Sequence, residues 1–235
     1  MKSQNIKIEE SCNNRPNVHI SYNQPIQPYH RKVAELVAKY AKESATVLDI
    51  GCGVGHTLAE IRRRKQDLKL TAADIDDTTL SITKERVQIE GTLKINSIED
   101  LFGSGLNYDV IVLSHVLEHT YSPLDIVRGL INMLQPNGVL ILAVPNPVRL
   151  SVFLGNILKK HYVNRGHVYA WDRSHWMNFL ENIAGLDVIE YSQDFFPLPK
   201  LHRFRLVRIV EVWLAQKLPW LAFSNIAVIR GSRRS

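Results

Sequence analysis

VLDIGCGVGHT, residues 47–57, joins an apolar run to a loop with glycine at positions 51, 53 and 55. Glycine lets a backbone turn sharply and lets a ligand approach its amides. The loop opens a helical pattern, so the segment reads as strand, glycine loop, helix. Position 56 is His where the GxGxxG dinucleotide fingerprint has its third glycine, so that fingerprint fits poorly. A GK[ST] phosphate loop is absent as well. Asp49 lies inside the apolar strand, where a carboxylate is costly unless it is paired. A bound cationic amine, or the loop amides, would satisfy it.

Outward from this loop, short apolar runs alternate with helical stretches. From Pro28, Val33, Leu36, Val37 and Tyr40 recur at three- and four-residue spacing. Strands are expected at 46–50, 68–73, 93–96, 108–114 and 138–144, and helices at 57–65, 78–87 and 123–134. The runs VLDI, DVIVL and VLILAV are apolar on both faces, which marks central parallel strands covered on each side. The fold class is therefore α/β, a doubly wound Rossmann-like sheet with helices on both faces. Beyond Val144 the pattern changes. Residues 145–170 are irregular and rich in Pro, Asn, Gly and His. A helix is expected at 172–184, a strand at 185–194, an amphipathic helix from 201 and a final strand at 226–229. Residues 1–25 are polar and read as a loose leader.

Composition narrows the function classes. The chain has 235 residues, 45% of them hydrophobic and 22% charged, which supports a folded core and excludes a disordered chain. Two cysteines, Cys12 and Cys52, and no CxxC pair exclude a disulfide scaffold and a thiolate zinc site. The first 17 residues have no apolar core and do not read as a signal peptide. The stretch 139–158 is interrupted by Pro145, Asn146, Pro147 and Arg149, too often for a membrane span. The expected location is the cytoplasm. Net charge is +6. Residues 200–235 hold eight Lys or Arg and one Glu, a balance of +7, which leaves −1 for the rest.

Asp74 ends the second strand, at LTAAD. A carboxylate at that place in a doubly wound sheet can take both hydroxyls of a ribose. With VLDIGCGVG and Asp74 in position, the chain from about 28 to 194 resembles the class I S-adenosylmethionine-dependent methyltransferases, in particular the type 11/23 group. The fourth strand, YDVIVLSHVLEH, and the fifth, LQPNGVLILAVPNP, are similar to theirs. The resemblance implies strand order 3-2-1-4-5-7-6 with the last strand antiparallel. It implies S-adenosyl-L-methionine as cofactor, bound by Asp49, Gly51, Gly53, Gly55, Asp74, Ile75, Ser97, Ile98 and Ser114. Ser97 stands where the family often has an acid. It also implies a leader or lid at 1–27, with Tyr22 and Tyr29 closing over the cofactor. Residues 28–235 then form one methyltransferase domain, with an acceptor-side insertion at about 145–171.

Just past the fourth strand stands His115-Val-Leu-Glu118-His119. On a helical turn, His115, Glu118 and His119 share one face at i, i+3 and i+4, at the strand edge where ligands bind. His167 and His175 follow in GHVYAWDR and beyond. This arrangement resembles part of two groups, the small-RNA 3′-terminal 2′-O-methyltransferases and the ubiquinone-pathway O-methyltransferases, which carry ExxEH here, a later His and a divalent metal. His115 replaces the first Glu. A His-rich set would favour Zn²⁺, Fe²⁺ or Mn²⁺ over Mg²⁺. The metal reading names His115, Glu118, His119 and His167. Without a metal, His119 or His115 serves as general base, since an imidazole pKa near 6.5 suits proton removal from a hydroxyl. Trp171, Trp176 and Phe179 are expected in the core rather than in an acceptor pocket.

At 201–222, Leu206, Ile209, Val210, Trp213, Leu214 and Leu218 recur at helical spacing among Arg203, Arg205, Arg208 and Lys217. The preferred reading packs the apolar face on the sheet. The other reading is a membrane-surface helix in peripheral contact with anionic lipid. The expected function is O-methylation of a small-molecule, sugar or lipid-linked acceptor. One rival is an RNA 2′-O-methyltransferase, which the basic end favours, although no RNA-binding module is recognisable and the body is slightly acidic. A second rival is a non-catalytic cofactor-binding regulator.

Overall fold

The computed structural model describes residues 26–148, 152, 155, 157–158, 166–194, 204–218 and 222–231. The expected leader with Tyr22, most of the 149–165 stretch, Arg203 and both ends of the basic helix lie outside these residues.

The chain begins with α1 (Pro28–Tyr40), which has proline in its first turn. There the missing N–H costs nothing and the fixed φ is already helical. Then follow β1 (Thr46–Ile50), α2 (His56–Arg64), β2 (Lys69–Asp74), α3 (Asp77–Arg86) and β3 (Gly91–Lys94). β4 (Tyr108–Ser114), α4 (Pro123–Asn132) and β5 (Leu134–Pro145) come next. α5 (Arg173–Asn178), β6 (Asp187–Gln193), α6 (Arg205–Lys217) and β7 (Ser224–Arg230) complete the described elements.

The seven strands form one sheet in the order β3-β2-β1-β4-β5-β7-β6. Strands β1 to β5 run parallel, and β7 is antiparallel to both β5 and β6. This is the order and polarity expected from the resemblance. Alternate residues of the central strands feed two cores, one on each face. Leu48, Ile50, Ile111, Leu113, Leu140 and Leu142 meet Ile126, Val127 and Leu130 of α4 on one face. Val47, Val110, Val112 and Ile141 meet Val33, Leu36 and Val37 of α1 and Leu58 and Ile61 of α2 on the other. Each such aliphatic side chain stabilises the fold by about 1.5–3 kcal/mol on full burial. Trp171, Trp176 and Phe179 join the first core, as expected.

Three of the boundaries that differ from expectation have a visible local cause. β3 lies at Gly91–Lys94, two residues early, because the Asp100 carboxylate takes the N–H groups of Asn96 and Ser97 and starts a 3₁₀ turn, Ile98–Leu101. β5 includes the Pro-Asn-Gly segment rather than beginning after it. Asn137 turns at φ 65°, and the ladder with β4 is irregular between Tyr108 and Val110. The helix after Asp172 changes at Phe179 into a π turn, Phe179–Ile183.

Register aligns the strand ends at one edge of the sheet. Ile50 pairs with Ala73 and Leu113, and Ser114 with Ala143. From the antiparallel side, Pro145 pairs with Ser224 and Asn225 with Gln193. Gly51, Asp74, Ser114, Asp194 and Ser224 therefore share that edge.

Candidate active site

The loop after β1 turns through three left-handed glycines, Gly51, Gly53 and Gly55, at φ 69°, 50° and 78°. They differ in what surrounds them. A Cβ on Gly51 would lie 2.3 Å from Val116 Cγ2, and one on Gly55 would lie 2.8 Å from Thr83 Cγ2. A Cβ on Gly53 would meet nothing within 4 Å. Two glycines thus permit packing and the third faces open space. The loop is tied to β2: Gly51 N–H donates to Ala73 O at 2.8 Å and Gly53 N–H to Asp74 Oδ2 at 2.8 Å. Asp76 N–H donates to Asp74 Oδ1 at 3.1 Å. Each carboxylate oxygen of Asp74 accepts one backbone N–H and retains a lone pair for a further donor.

Asp49 is buried beneath the loop, and its Oδ2 has no hydrogen-bond partner among the described residues. Burial, reinforced by the charge of Asp74, pushes its pKa up to about 8. A buried orphan acceptor is costly, and a cationic or hydrogen-bonding group above the loop would relieve it. Ile75, beside Asp74, is 65% exposed and offers an apolar surface at the same edge. Ile98 is buried, and the Ser97 hydroxyl donates to Asp100 Oδ1 at 3.3 Å. Ser114 Oγ is shielded and has no partner among the described residues.

Beyond Ser114 the chain turns abruptly. His115 takes a left-handed φ of 58°, and its N–H donates to Ala143 O at 2.8 Å. For a residue with a Cβ this conformation costs about 1–2 kcal/mol, and such strain clusters at functional sites. Leu117–His119 then form a 3₁₀ turn rather than the expected α-helical face. The side chains converge all the same. Glu118, 1% exposed, lies at the centre, with neither carboxyl oxygen hydrogen-bonded among the described residues. Around its Oε1 stand His115 Nδ1 at 3.9 Å, His119 Nε2 at 4.0 Å and His167 Nε2 at 3.9 Å. Burial raises the Glu118 pKa to about 8.

The surrounding backbone explains how His167 arrives. Val168 N–H and Tyr169 N–H donate to the Glu118 carbonyl at 2.8 and 3.2 Å. His119 Nδ1–H donates to Gly166 O at 2.9 Å, since a carbonyl can only accept. In the neutral ring this leaves the Nε2 lone pair directed toward Glu118, the arrangement second-shell carbonyls impose on metal-binding histidines. Ligand atoms of Glu118, His119 and His167 lie within 4.8 Å of one another. His115 stands outside that triplet. Its Nε2 lies 2.8 Å from Ser224 Oγ. The Ser224 hydroxyl donates to Asp194 Oδ2 at 3.0 Å, so His115 Nε2–H is the donor to Ser224. Asp194 also accepts Ser224 N–H at 2.8 Å, and burial pushes its pKa up to about 7.

Tyr29 of α1 stacks on His115 at 4.0 Å between ring centroids and lies parallel to Phe223 at 6.3 Å. Burial, then the charges of Glu118, Asp49 and Asp194, hold its hydroxyl above the usual phenol range. This ring therefore ties α1 to the histidine cluster and to Phe223. His175 lies elsewhere, paired with Asp172 at 2.6 Å. The sequence reading missed Asp194, Ser224 and Phe223. The signal was present in polar residues placed where β6 ends and β7 begins, but it acquires meaning only once those strands are paired.

Comparison with known proteins identifies the family and the fold. The model of the methyltransferase domain family, type 23, matches residues 22–191. The chain is 24% identical over 197 residues to a carboxy-S-adenosyl-L-methionine synthase of Campylobacter hominis, covering 79% of this chain and 82% of that one. It is 27% identical over 186 residues to a ubiquinone biosynthesis O-methyltransferase of Xanthomonas campestris, covering 69% and 76%. Among solved structures it resembles the plantazolicin methyltransferase BpumL in complex with a desmethyl analogue and S-adenosylhomocysteine, with a TM-score of 0.61, 20% identity and coverage of 90% and 88%. It also resembles the N-methyltransferase NodS of Bradyrhizobium japonicum, with a TM-score of 0.57, 15% identity and coverage of 89% of each chain. The chain belongs to the methyltransferase domain family and is an S-adenosylmethionine-dependent methyltransferase.

Proposed function

We propose that the protein methylates a hydroxyl of a small-molecule, sugar or lipid-linked acceptor, and that the Glu118-centred histidine cluster receives the acceptor proton. The observation that carries this reading is the orphaned Glu118 carboxyl ringed by three imidazole nitrogens at the sheet edge. A sulfonium already activates the methyl group of S-adenosylmethionine, so the protein's work is to align an acceptor oxygen and remove its proton. A nitrogen acceptor that arrives unprotonated would need no such cluster.

In this reading Asp74 takes the ribose hydroxyls with its spare lone pairs, and Gly53 gives the backbone close access. Asp49 lies toward the amine of the methionyl part. Ile75 and Ile98 flank the adenine, with Ser97 contributing backbone rather than its engaged hydroxyl. Ser114 lies under the methyl donor. His119 is the preferred base, because its Nδ1–H is anchored and its Nε2 lone pair is directed inward. His115 holds the other side of Glu118 through Ser224 and Asp194. The triplet Glu118, His119 and His167 also fits a divalent ion, because it offers two imidazoles and a carboxyl with no hydrogen-bond partner among the described residues. Such an ion would lower the pKa of a bound hydroxyl and orient it.

The test is transfer of labelled methyl groups into metabolite, lipid and RNA fractions, with and without a chelator. Glu118→Gln, His119→Ala and His167→Ala are compared with wild type. Label should enter a hydroxylated small-molecule or lipid fraction, and His119→Ala should lower turnover by about 10²–10⁴. Label confined to RNA, or variants with wild-type turnover, would overturn the proposal.

A further inference from the structure

α6 presents its widest apolar face to solvent, against the expectation that this face packs on the sheet. Leu206, Ile209, Val210 and Trp213 are 78%, 60%, 48% and 55% exposed. At helical spacing these four fall within an arc of roughly 100°, the width of an amphipathic stripe. Lys217 lies on the same side and is exposed. The half-buried positions, Val207, Leu214 and Leu218, lie on the neighbouring flank. Isolated exposed aliphatics are ordinary, but four large ones aligned on one helix mark an interaction surface.

The chemistry of the occupant is set by the charge around the stripe. Residues 200–218 hold five Lys or Arg and one Glu, a balance of +4, whereas Arg230 lies at the far end of β7, paired with Asp187 at 3.7 Å. Arg203, Arg205, Arg208 and Lys217 fall within or beside the helix. Apolar stripe, basic surroundings and a tryptophan are what a helix needs to lie in the headgroup region of an anionic bilayer, with the rings at the interface and the cations against lipid phosphates. Thirteen residues make a helix of about 20 Å, too short for a hydrocarbon core of about 30 Å. No described helix is long and apolar enough to cross a membrane. We infer that α6 docks the protein on an anionic lipid surface, lying flat with Leu206, Ile209, Val210 and Trp213 inserted.

This inference stands apart from the proposed reaction, and its test reads no activity. The full chain is floated with vesicles of phosphatidylcholine alone and of equimolar phosphatidylcholine and phosphatidylserine, at low ionic strength and in molar salt. It should float with the anionic vesicles at low salt, stay down with neutral ones, and be released in large part by salt. Ile209→Ser with Trp213→Ser should weaken binding at least about tenfold, as should the triple variant Arg203→Gln, Arg205→Gln, Arg208→Gln. Ile209 and Trp213 are exposed, and unaltered thermal unfolding confirms for both sets that the fold is intact. Failure of the wild type to float at low salt overturns the inference. So does flotation that survives the Ile209 and Trp213 changes. A dimer in solution that those changes dissolve would make the face a self-interface, and salt-sensitive RNA binding lost in the same variants would assign it to RNA. Either result also overturns the inference.

Discussion

Replacing each glycine of the 51–55 loop by alanine should separate packing from cofactor binding. Gly51 is left-handed at φ 69°, and an added Cβ lies 2.3 Å from Val116 Cγ2. The left-handed conformation costs alanine about 1–2 kcal/mol. The clash adds a further cost of about 1–3 kcal/mol, because a β-branched valine has little freedom at χ1 with which to yield. Gly51→Ala should therefore lose about 2–5 kcal/mol of stability. Gly53 has a φ of 50° and open space where its Cβ would stand. Gly53→Ala carries only the backbone cost, about 1–2 kcal/mol. That open space is where the proposed cofactor approaches, so its methyl group should weaken S-adenosylhomocysteine binding by about tenfold or more, equivalent to about 1.4 kcal/mol. Urea unfolding without ligand measures the first quantity, and calorimetric titration of the folded variants measures the second. Equal destabilisation by the two substitutions, or undiminished affinity in Gly53→Ala, would refute the division of roles.

Asp74→Ala should weaken S-adenosylhomocysteine binding about tenfold or more, since a charge-assisted hydrogen bond is worth about 1.5–3 kcal/mol; unchanged affinity in a folded variant removes Asp74 from the site. Stability of the ligand-free protein should fall as pH rises from about 6.5 to 8. Asp49 and Glu118, raised to about 8, and Asp194, raised to about 7, bind protons in the folded state that unfolded carboxylates have released. His30, lowered to about 3 by burial, acts in the opposite sense only below the unfolded imidazole value near 6.5. Glu118→Gln should flatten that decline in urea midpoint, and a wild-type midpoint that rises across the window would contradict it. Trp176→Ala, in the core at 1% exposure, should cost about 3–5 kcal/mol while leaving the residual folded fraction able to bind cofactor.

The sheet was largely legible because its signals are local. VLDI, DVIVL and VLILAV are apolar runs buried almost continuously, on both faces, and the glycine loop sits where β1 meets α2. Boundaries were less legible where a side chain ends an element. Asp100 captures the Asn96 and Ser97 amides and ends β3, and nothing in the apolar pattern reports that bond. The cluster at 115–119 was legible as a set of residues but not as a geometry. The expected α-helical face is replaced by a left-handed residue and a 3₁₀ turn. His167 reaches it through amides that bond the Glu118 carbonyl, a tertiary contact with no periodic signature. The α6 stripe was read correctly as amphipathic, yet its direction was misjudged. Periodicity gives the width of an apolar face and says nothing of what covers it.

Asp194 and Ser224 show why topology supplies part of this site. They lie 30 residues apart, at the end of β6 and the start of β7, and the antiparallel pair brings them together beside β5. Their hydrogen bonds run on to His115, which lies against Glu118, so one polar chain extends from the antiparallel edge of the sheet to the end of β4. A chain of this kind is costly in a buried setting unless each member is satisfied. Asp194 and Ser224 are satisfied, and Glu118 has no hydrogen-bond partner among the described residues. The unsatisfied member is the one ringed by imidazoles at the strand edge where ligands of doubly wound sheets bind. A purely structural network would be expected to close on itself. This one ends at Glu118, 4.0 Å from His119 Nε2, which is the physical argument for placing the acceptor proton on that imidazole.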